Sequence, residues 1–397
     1  MTTPEPNDPD SIRAPAPREG MAVLALAMSA FVLNLNSNVM GALLPFVREE
    51  FGFDNDGGAQ LLSAAGAGSA LGALLVADAG RWFGRRAVLA TSLGAFAVAS
   101  ALHLVVGSFW PLLVLRALAG LSTGIAYAAA SAAVADLAPY ERRGAVMGRF
   151  NAGLFLAIPI GLPLTVWLAS IGHWQATFVV QALVGAVALV MTLRMVPELP
   201  PARNARRLPL LANGGVVAVL VATMLHVGSF FTVVQLATSW LDDEGIVPKQ
   251  HQVWVWVGLG ALSVLGSALF GRLSDRLGKR RFVLVTSGIL VVCFFALSRS
   301  WGRDYLLPIG CVLAVAAAAR TGPLQALVSG LVPSEQLGAL MGLRGFCMQL
   351  GVFLFALGAS GLTDRLGFRG VLMLGAACQL GSYLAIRLGV REPAPTP

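Results

Sequence analysis

The sequence predicts an all-α membrane protein whose twelve transmembrane helices form two six-helix halves. Hydrophobic residues make up 56% of the 397 positions and charged residues only 12%, which excludes an ordinary soluble domain. Apolar runs of about the length that crosses a bilayer recur from about Met21 to Arg387. Basic residues are concentrated in the short loops between these runs. Nearly the whole chain is therefore expected to lie in a membrane.

The predicted spans follow one another with short connections. They are expected to begin near Met21, Ala59, Ala87, Trp110, Gly144, Gln175, Gly214, Val253, Phe282, Tyr305, Gly338 and Gly370. Residues 1–20 are rich in proline and charge, so we expect a disordered cytoplasmic tail there, with a second short tail at 390–397. The first apolar run is too long for a cleavable signal peptide, and we interpret it as a permanent span.

The loop charges predict the orientation of the spans. One set of loops contains most of the bases, including Arg85, Arg142, Arg206 and Lys279, whereas the other contains acids such as Glu50. The positive-inside rule then places both termini in the cytoplasm. We expect a multi-pass protein of a bacterial cytoplasmic membrane. The net charge of +8 is explained by this orientation and does not indicate nucleic-acid binding.

Two stretches of the chain repeat at one constant offset. Gly84 and Gly278 are 194 positions apart, and residues 137–148 match residues 331–342 at the same offset. This predicts a parallel repeat of six spans, with halves at 21–196 and 213–389. The proline-rich, basic segment 197–212 is expected to link them. Such repeats place a substrate site near the bilayer midplane, between the halves.

The loop 271–281, Gly-Arg-Leu-Ser-Asp-Arg-Leu-Gly-Lys-Arg-Arg, joins two apolar runs. It resembles the loop signature of the major facilitator superfamily at every consensus position. The resemblance covers nearly the whole chain and implies a transporter whose halves rock around a central site. It also implies that Asp275 latches the outward-open state by lying against the N-terminus of the helix that begins near Gly144. A carboxylate at a helix N-terminus gains roughly 0.3–2 kcal/mol from the helix dipole and the free N–H groups.

The predicted latch includes residues from both equivalent loops. They are Asp275, Arg276, Gly278, Lys279 and Arg280 in the second half, and Asp78, Gly84 and Arg85 in the first. The first-half position that matches Asp275 is Arg81, and Asp78 lies three residues earlier, so its role as a substitute stays open. The alternative is that both loops are only positive-inside anchors.

Two further motifs are similar to those of proton-coupled sugar and drug efflux permeases. In span four, Arg116 is followed by Gly120 and Gly124, whose spacing permits close helix contact. In those exporters the matching arginine is linked to proton transfer; the alternative is that Arg116 reaches the membrane surface. Residues 153–163 of span five resemble a degraded antiporter signature, in which two prolines kink the helix.

In the superfamily, spans one, four, seven and ten line the cavity. Their polar residues are the candidate substrate contacts, namely Asn34, Asn38, Arg116, Tyr127, His226, Gln235, Arg320 and Gln325. Arg320, near mid-membrane, is the leading candidate for a ligand contact. His226 titrates near neutrality and is assigned, with Arg116, to proton coupling. For the neutral amides, hydrogen bonds between helices are an equal alternative.

The sequence thus predicts a secondary active transporter that moves a small organic molecule by alternating access and proton-coupled efflux. Because the charges at depth are arginines, an organic-anion transporter is the first alternative. A non-transporting sensor or scaffold is the second. No nucleophile–base pair or phosphate loop indicates an enzyme, and no cofactor or metal is expected. The expected partners are the substrate, protons and lipids, and the chain is expected to be a monomer.

Overall fold

The computed structural model describes residues 17–53, 55–171, 173–198, 208–243, 249–299 and 303–391. In these residues the secondary structure is helical throughout, without strands, as the sequence predicts. Eleven helices are long and apolar enough to cross a membrane. The second helix of the chain has a shorter apolar part, Gln60–Val76. The twelve-helix fold class is confirmed.

The first half contains six helices. These are α1 (Pro17–Phe51), α2 (Asn55–Trp82), α3 (Arg85–Leu102), α4 (Phe109–Asp136), α5 and α6 (Ala176–Met195). Helix α5 has three consecutive parts: Arg143–Leu156, a π-helical turn at Ala157–Gly161, and Leu162–Ser170. Pro159 and Pro163 in this region remove backbone N–H donors, which explains the irregular turn.

The second half repeats the arrangement. It contains α7 (Gly214–Asp243), α8 (Lys249–Leu277), α9 (Lys279–Leu297) and α10 (Arg303–Ser329), followed by one helical run, Ser334–Gly389. Gly367, with φ of 62°, divides that run into α11 (334–366) and α12 (368–389). A positive φ is easily adopted only by glycine, so the chain can reverse there.

The helices begin within four residues of the expected positions; α1, for example, begins at Pro17 instead of Met21. The first helix therefore takes up the end of the expected N-terminal tail, and residues 1–16 lie outside the described residues. In the expected linker, residues 199–207 also lie outside them, and Leu208–Leu211 form a short helix. The last six residues of the expected C-terminal tail are likewise not described.

Helices α2 and α4 approach closely because small residues face each other. A side chain at Gly120 would meet the carbonyl oxygen of Ala65, and one at Gly124 would meet that of Ser69. In return, a side chain at Gly72 would meet the carbonyl oxygen of Leu121. The small-residue spacing in span four therefore does permit close helix contact, as expected.

The two halves meet along two seams that are related by the repeat. On the α5–α8 seam, a Cβ at Gly148 would lie 2.5 Å from the carbonyl oxygen of Ser267. On the α2–α11 seam, a Cβ at Gly342 would meet the carbonyl oxygen of Ala73. Gly342 lies 194 positions after Gly148, and Ser267 lies 194 positions after Ala73. The repeat in the sequence thus corresponds to a repeat in the contacts between halves.

The repeat also extends to one end of the bundle. Arg86 donates to the carbonyl oxygen of Leu193, at the end of α6. Arg280, 194 positions later, donates to the carbonyl oxygens of Val390 and Arg387, at the end of α12. Each arginine thereby satisfies free carbonyls and the negative end of a helix dipole. We call this end of the bundle the basic end.

Replacing Gly124 by alanine is expected to lower the thermal unfolding temperature of the purified protein by about 5 °C, since the added methyl group would push α4 away from α2. Gly288→Ala in α9 is the matched control, because a Cβ there meets nothing within 4 Å. Equal unfolding temperatures for the two variants would show that the α2–α4 contact contributes little to stability.

Candidate functional site

At the basic end, Asp275 of α8 contacts the first turn of α5 in the other half. Its two carboxylate oxygens accept hydrogen bonds from the backbone N–H groups of Gly144 (3.0 Å) and Ala145 (2.8 Å). These are free donors of a helix N-terminus, so a negative charge there is favoured by both hydrogen bonding and the dipole. A Cβ at Gly144 would lie 2.5 Å from the Asp275 carboxylate, and glycine is therefore required for the approach.

Lys279 holds the Asp275 carboxylate from the other side. Its ammonium lies 2.9 Å from an oxygen of Asp275 and donates to the carbonyl oxygen of Glu141 at 3.3 Å. It also lies 4.3 Å from the ring centre of Tyr140. Gly278, with φ of 87°, makes the tight turn that brings the start of α9 back beside the end of α8.

Two more hydrogen bonds join the halves near the same end. The Arg143 guanidinium donates to the Ser329 hydroxyl of α10 at 3.1 Å. The Ser267 hydroxyl of α8 donates to the carbonyl oxygen of Gly148 at 3.0 Å. Together with the Asp275 contact, they close the basic end of the bundle.

The other residues of the predicted latch have different surroundings. Arg280 binds the end of α12, in its own half. Arg85 forms an ion pair with Asp136 of its own half. Gly84 has an ordinary extended conformation and precedes α3, and Arg276 is exposed. The side chains of Asp78 and Arg81 lie outside the described residues, so the question about Asp78 stays open.

Deeper in the bundle, four polar side chains from four helices meet between the halves. We call Tyr127, Asn151, Gln325 and Arg344 the central cluster. Asn151 donates to Gln325 at 2.5 Å, and Gln325 donates to the Tyr127 hydroxyl at 3.4 Å. Arg344 lies beside the Tyr127 side chain. Tyr127 is partly exposed, whereas the other three side chains of the cluster are buried.

The central cluster retains unused hydrogen-bonding capacity. Among the described residues, the Nε of Arg344 and the side-chain oxygen of Asn151 have no hydrogen-bond partner. Tyr127 and Gln325 were candidates from the sequence, but Asn151 and Arg344 were not. Asn151 and Arg344 could be found from the sequence by their polarity inside predicted spans five and eleven. The resemblance to the superfamily favours spans one, four, seven and ten instead, because those spans line its cavity.

Asn34 and Asn38 lie on one face of α1, toward α5. The amide of Asn34 donates to the carbonyl oxygen of Leu154 at 2.9 Å, and Asn38 donates to the carbonyl oxygen of Asn34 at 2.8 Å. Both side chains are partly exposed. They therefore combine hydrogen bonds within the N-terminal half with remaining capacity for a ligand.

Arg320 lies inside the C-terminal half. It is fully buried and donates to the hydroxyls of Ser287 in α9 (2.9 Å) and Ser382 in α12 (2.8 Å). These hydrogen bonds join α9, α10 and α12. Another nitrogen of the guanidinium, Nη1, has no hydrogen-bond partner among the described residues, so Arg320 stays a predicted ligand contact.

His226 also belongs to the interior of the C-terminal half. Its ring nitrogen Nδ1 lies 3.0 Å from the side-chain oxygen of Gln379, and Gln379 donates to the Ser229 hydroxyl at 2.8 Å. The ring stacks on Phe230. The side chain of Gln235, the other candidate in α7, lies outside the described residues.

Arg116 is held inside the N-terminal half. Its guanidinium donates to the side-chain oxygen of Asn36 at 2.8 Å and to the backbone oxygen at 3.1 Å, and the side chain is 1% exposed. This burial argues against a side chain that reaches the membrane surface. Asn36 points away from Asn34 and Asn38, as the helical spacing indicates, and that direction makes it the partner of Arg116.

The sequence matches the family described as Major Facilitator Superfamily over residues 26–298 and 219–397. Probable sugar efflux transporters are among its relatives. The one from Helicobacter acinonychis is 26% identical over 279 residues, which cover 69% of this chain and 70% of the relative. The one from Pasteurella multocida is 26% identical over 295 residues, with 72% of each chain covered.

Two solved structures have a similar fold. The human organic anion transporter MFSD10 superposes with a TM-score of 0.78 at 19% identity, over 94% of this chain and 100% of that one. The proton:xylose symporter XylE superposes with the same TM-score, 0.78, at 14% identity, over 96% of this chain and 97% of that one. At these identities the two structures support the fold alone.

Asp275→Asn is expected to slow turnover roughly tenfold, because the amide loses the charge that favours the α5 N-terminus. The affinity for the ligand should stay unchanged, since the ligand is expected deeper in the bundle. Initial transport rates in proteoliposomes and ligand binding to the purified protein would be compared. Arg276→Gln, at an exposed neighbour, is the control. A normal rate for Asp275→Asn would exclude the latch role.

Proposed function

Because the chain belongs to the major facilitator superfamily of membrane transporters, we propose that it exports a small polar organic molecule by alternating access. The observation that supports this most directly is that the two halves are in contact at two depths of the bundle. Asp275 closes the basic end on α5, and the central cluster lies deeper, between the same two halves. A transporter needs such a closure that can open and close beside a polar binding site.

We place the basic end in the cytoplasm by the positive-inside rule. Among the described residues, the hydrogen bonds that join the halves all lie between that end and Tyr127. In this orientation the structure corresponds to a state closed toward the cytoplasm. Loading a substrate for export then requires that the carboxylate of Asp275 leave the N-terminus of α5.

In this proposal the substrate binds on the side of the central cluster that faces away from the basic end. The partly exposed Tyr127, Asn34 and Asn38 are available to it, and Arg344 and Gln325 lie directly behind Tyr127. Phenol and amide groups suit the hydroxyls of a sugar-like molecule, because they both donate and accept hydrogen bonds. The names of the bacterial relatives, probable sugar efflux transporters, agree with this choice.

We further propose that export is coupled to proton entry. His226 is the titratable candidate, because an arginine such as Arg116 does not release its proton in a protein. His226 lies beside the side-chain amide of Gln379. If that amide rotates by 180°, its NH₂ group donates to the ring where its oxygen accepted before. Arg116 would then act through its charge and not as a proton carrier.

A second candidate function is the transport of an organic anion. Arg320 and Arg344 are both buried, and their charges lie close enough to repel. Among the described residues, no carboxylate forms an ion pair with either. A substrate carboxylate would offset this positive charge, and Arg344 already borders the space between the halves.

Transport into and out of proteoliposomes, with and without an imposed pH gradient, tests both functions. The solutes would be a neutral sugar, a sugar acid and a hydrophobic cation. Gradient-driven movement of the neutral sugar supports proton-coupled export. Movement of the sugar acid alone, independent of pH, supports the anion transporter. Protein that binds these solutes but moves none would indicate a sensor or scaffold.

Variants of the two buried arginines of the second half distinguish a ligand contact from a structural role. We expect Arg344→Gln to weaken ligand binding roughly tenfold or more, as one lost charged hydrogen bond predicts, with little change in unfolding temperature. Arg320→Gln is the matched control, and it should lower the unfolding temperature without weakening binding. The reverse pattern would make Arg320 the ligand contact and remove Arg344.

A further inference from the structure

A group of buried polar side chains in the N-terminal half lacks hydrogen-bond partners. Among the described residues, none is found for the Nε of Arg116, the Nε2 of His103, the hydroxyls of Ser100 and Thr177, or either amide atom of Gln181. All five side chains are almost fully buried. Burying a polar group without a partner is costly, so this many in one place indicates that something else binds to them.

The packing of α3 against α6 places four of the five together. The ring of His103 stacks on that of Phe178 at 4.0 Å, and seven residues away on each helix Phe96 contacts Gly185. The two helices are antiparallel, so these contacts fix their register. Ser100 lies three residues before His103, and Gln181 lies three residues after Phe178, so Ser100 and Gln181 are opposite each other. Thr177 immediately precedes Phe178.

Arg116 adds a positive charge to the same group. Helix α4 packs against both α1 and α3, and Leu112, one turn before Arg116, belongs to the same buried apolar cluster as Phe178, the ring on which His103 stacks. Its hydrogen-bond acceptor, Asn36, is neutral. Among the described residues, no carboxylate pairs with Arg116. Because arginine stays protonated, this is a full charge buried in the membrane interior without a counter-charge.

We propose that Arg116, Ser100, Thr177 and Gln181 bind one small monovalent anion, of which chloride is the obvious example. His103 borders the site and does not donate to the anion, because its Nδ1 donates to the carbonyl oxygen of Ala99 and the Nε2 of the neutral ring is then an acceptor. A single negative charge balances Arg116, and the hydroxyl, amide and guanidinium groups are all donors that such an anion accepts. This site is separate from the proposed substrate site, since Tyr127 lies eleven residues further along α4, roughly 16 Å away by helical rise. The anion stabilises the N-terminal half as a bound ion and is not transported.

The test measures thermal unfolding of the full-length purified protein while chloride replaces gluconate at constant ionic strength. A bound anion raises the unfolding temperature in a saturable way, and bromide should act like chloride. Unfolding temperatures that are identical in chloride and gluconate would overturn the proposal and leave enclosed water as the partner of these groups.

Two threonines on α6 provide a matched pair of variants. Thr177 and Thr192 are both buried with unpartnered hydroxyls, but Thr192 lies near the basic end, far from His103. Thr177→Val should raise the half-saturating chloride concentration about tenfold, as one lost hydrogen bond to a charged group predicts, and Thr192→Val should leave it unchanged. Equal values for both variants would overturn the site.

Arg116→Gln should abolish the halide effect altogether, and a retained effect in that variant would contradict the assignment. If this variant does not fold, the threonine pair still decides. Crystals soaked in bromide give a direct readout through anomalous scattering. The peak is expected between α3, α4 and α6 beside Arg116, and a bromide peak at another place only would overturn the proposal.

Discussion

The carboxylate of Asp275 at the N-terminus of α5 is the interaction on which the arrangement of the two halves depends at the basic end. Several local features make this contact possible. Gly144 has no side chain that would displace the carboxylate, Gly278 turns the chain so that Lys279 returns to it, and Lys279 balances its charge. The interaction is made of backbone donors and one ion pair, with no interlocking side chains, and it can therefore be broken and re-formed without repacking a core.

The rest of the bundle is held by close approach of helices, as expected for a protein surrounded by lipid. Apolar side chains gain little by leaving lipid for the protein interior, so packing and hydrogen bonds must bind the helices. Glycines supply the packing at α2–α4 and at both seams between the halves. Buried serines and amides supply the hydrogen bonds, as at Arg320 with Ser287 and Ser382.

The sequence was sufficient for the fold, because span length, loop charge and the 194-residue offset are each imposed by the membrane or by the repeat. The resemblance of the loop signature to that of the superfamily also indicated the contact partner of Asp275, the helix that begins near Gly144. The sequence was less informative about the interior. Sequence spacing shows which residues share a face of one helix, but the neighbour of that face depends on helix rotation and tilt. The hydrogen bonds of Arg320 to α9 and α12 therefore could not be predicted, and Asn36, set aside by spacing, became the partner of Arg116.

The repeat is broken at the loop position of Asp275. The second half has Asp275, but the equivalent position of the first half is Arg81, a base in place of an acid. The carboxylate contact with the N-terminus of α5 consequently has no acidic counterpart at the loop position that the repeat relates to it. The halves meet at the basic end through one charged contact that the symmetry of the sequence does not duplicate.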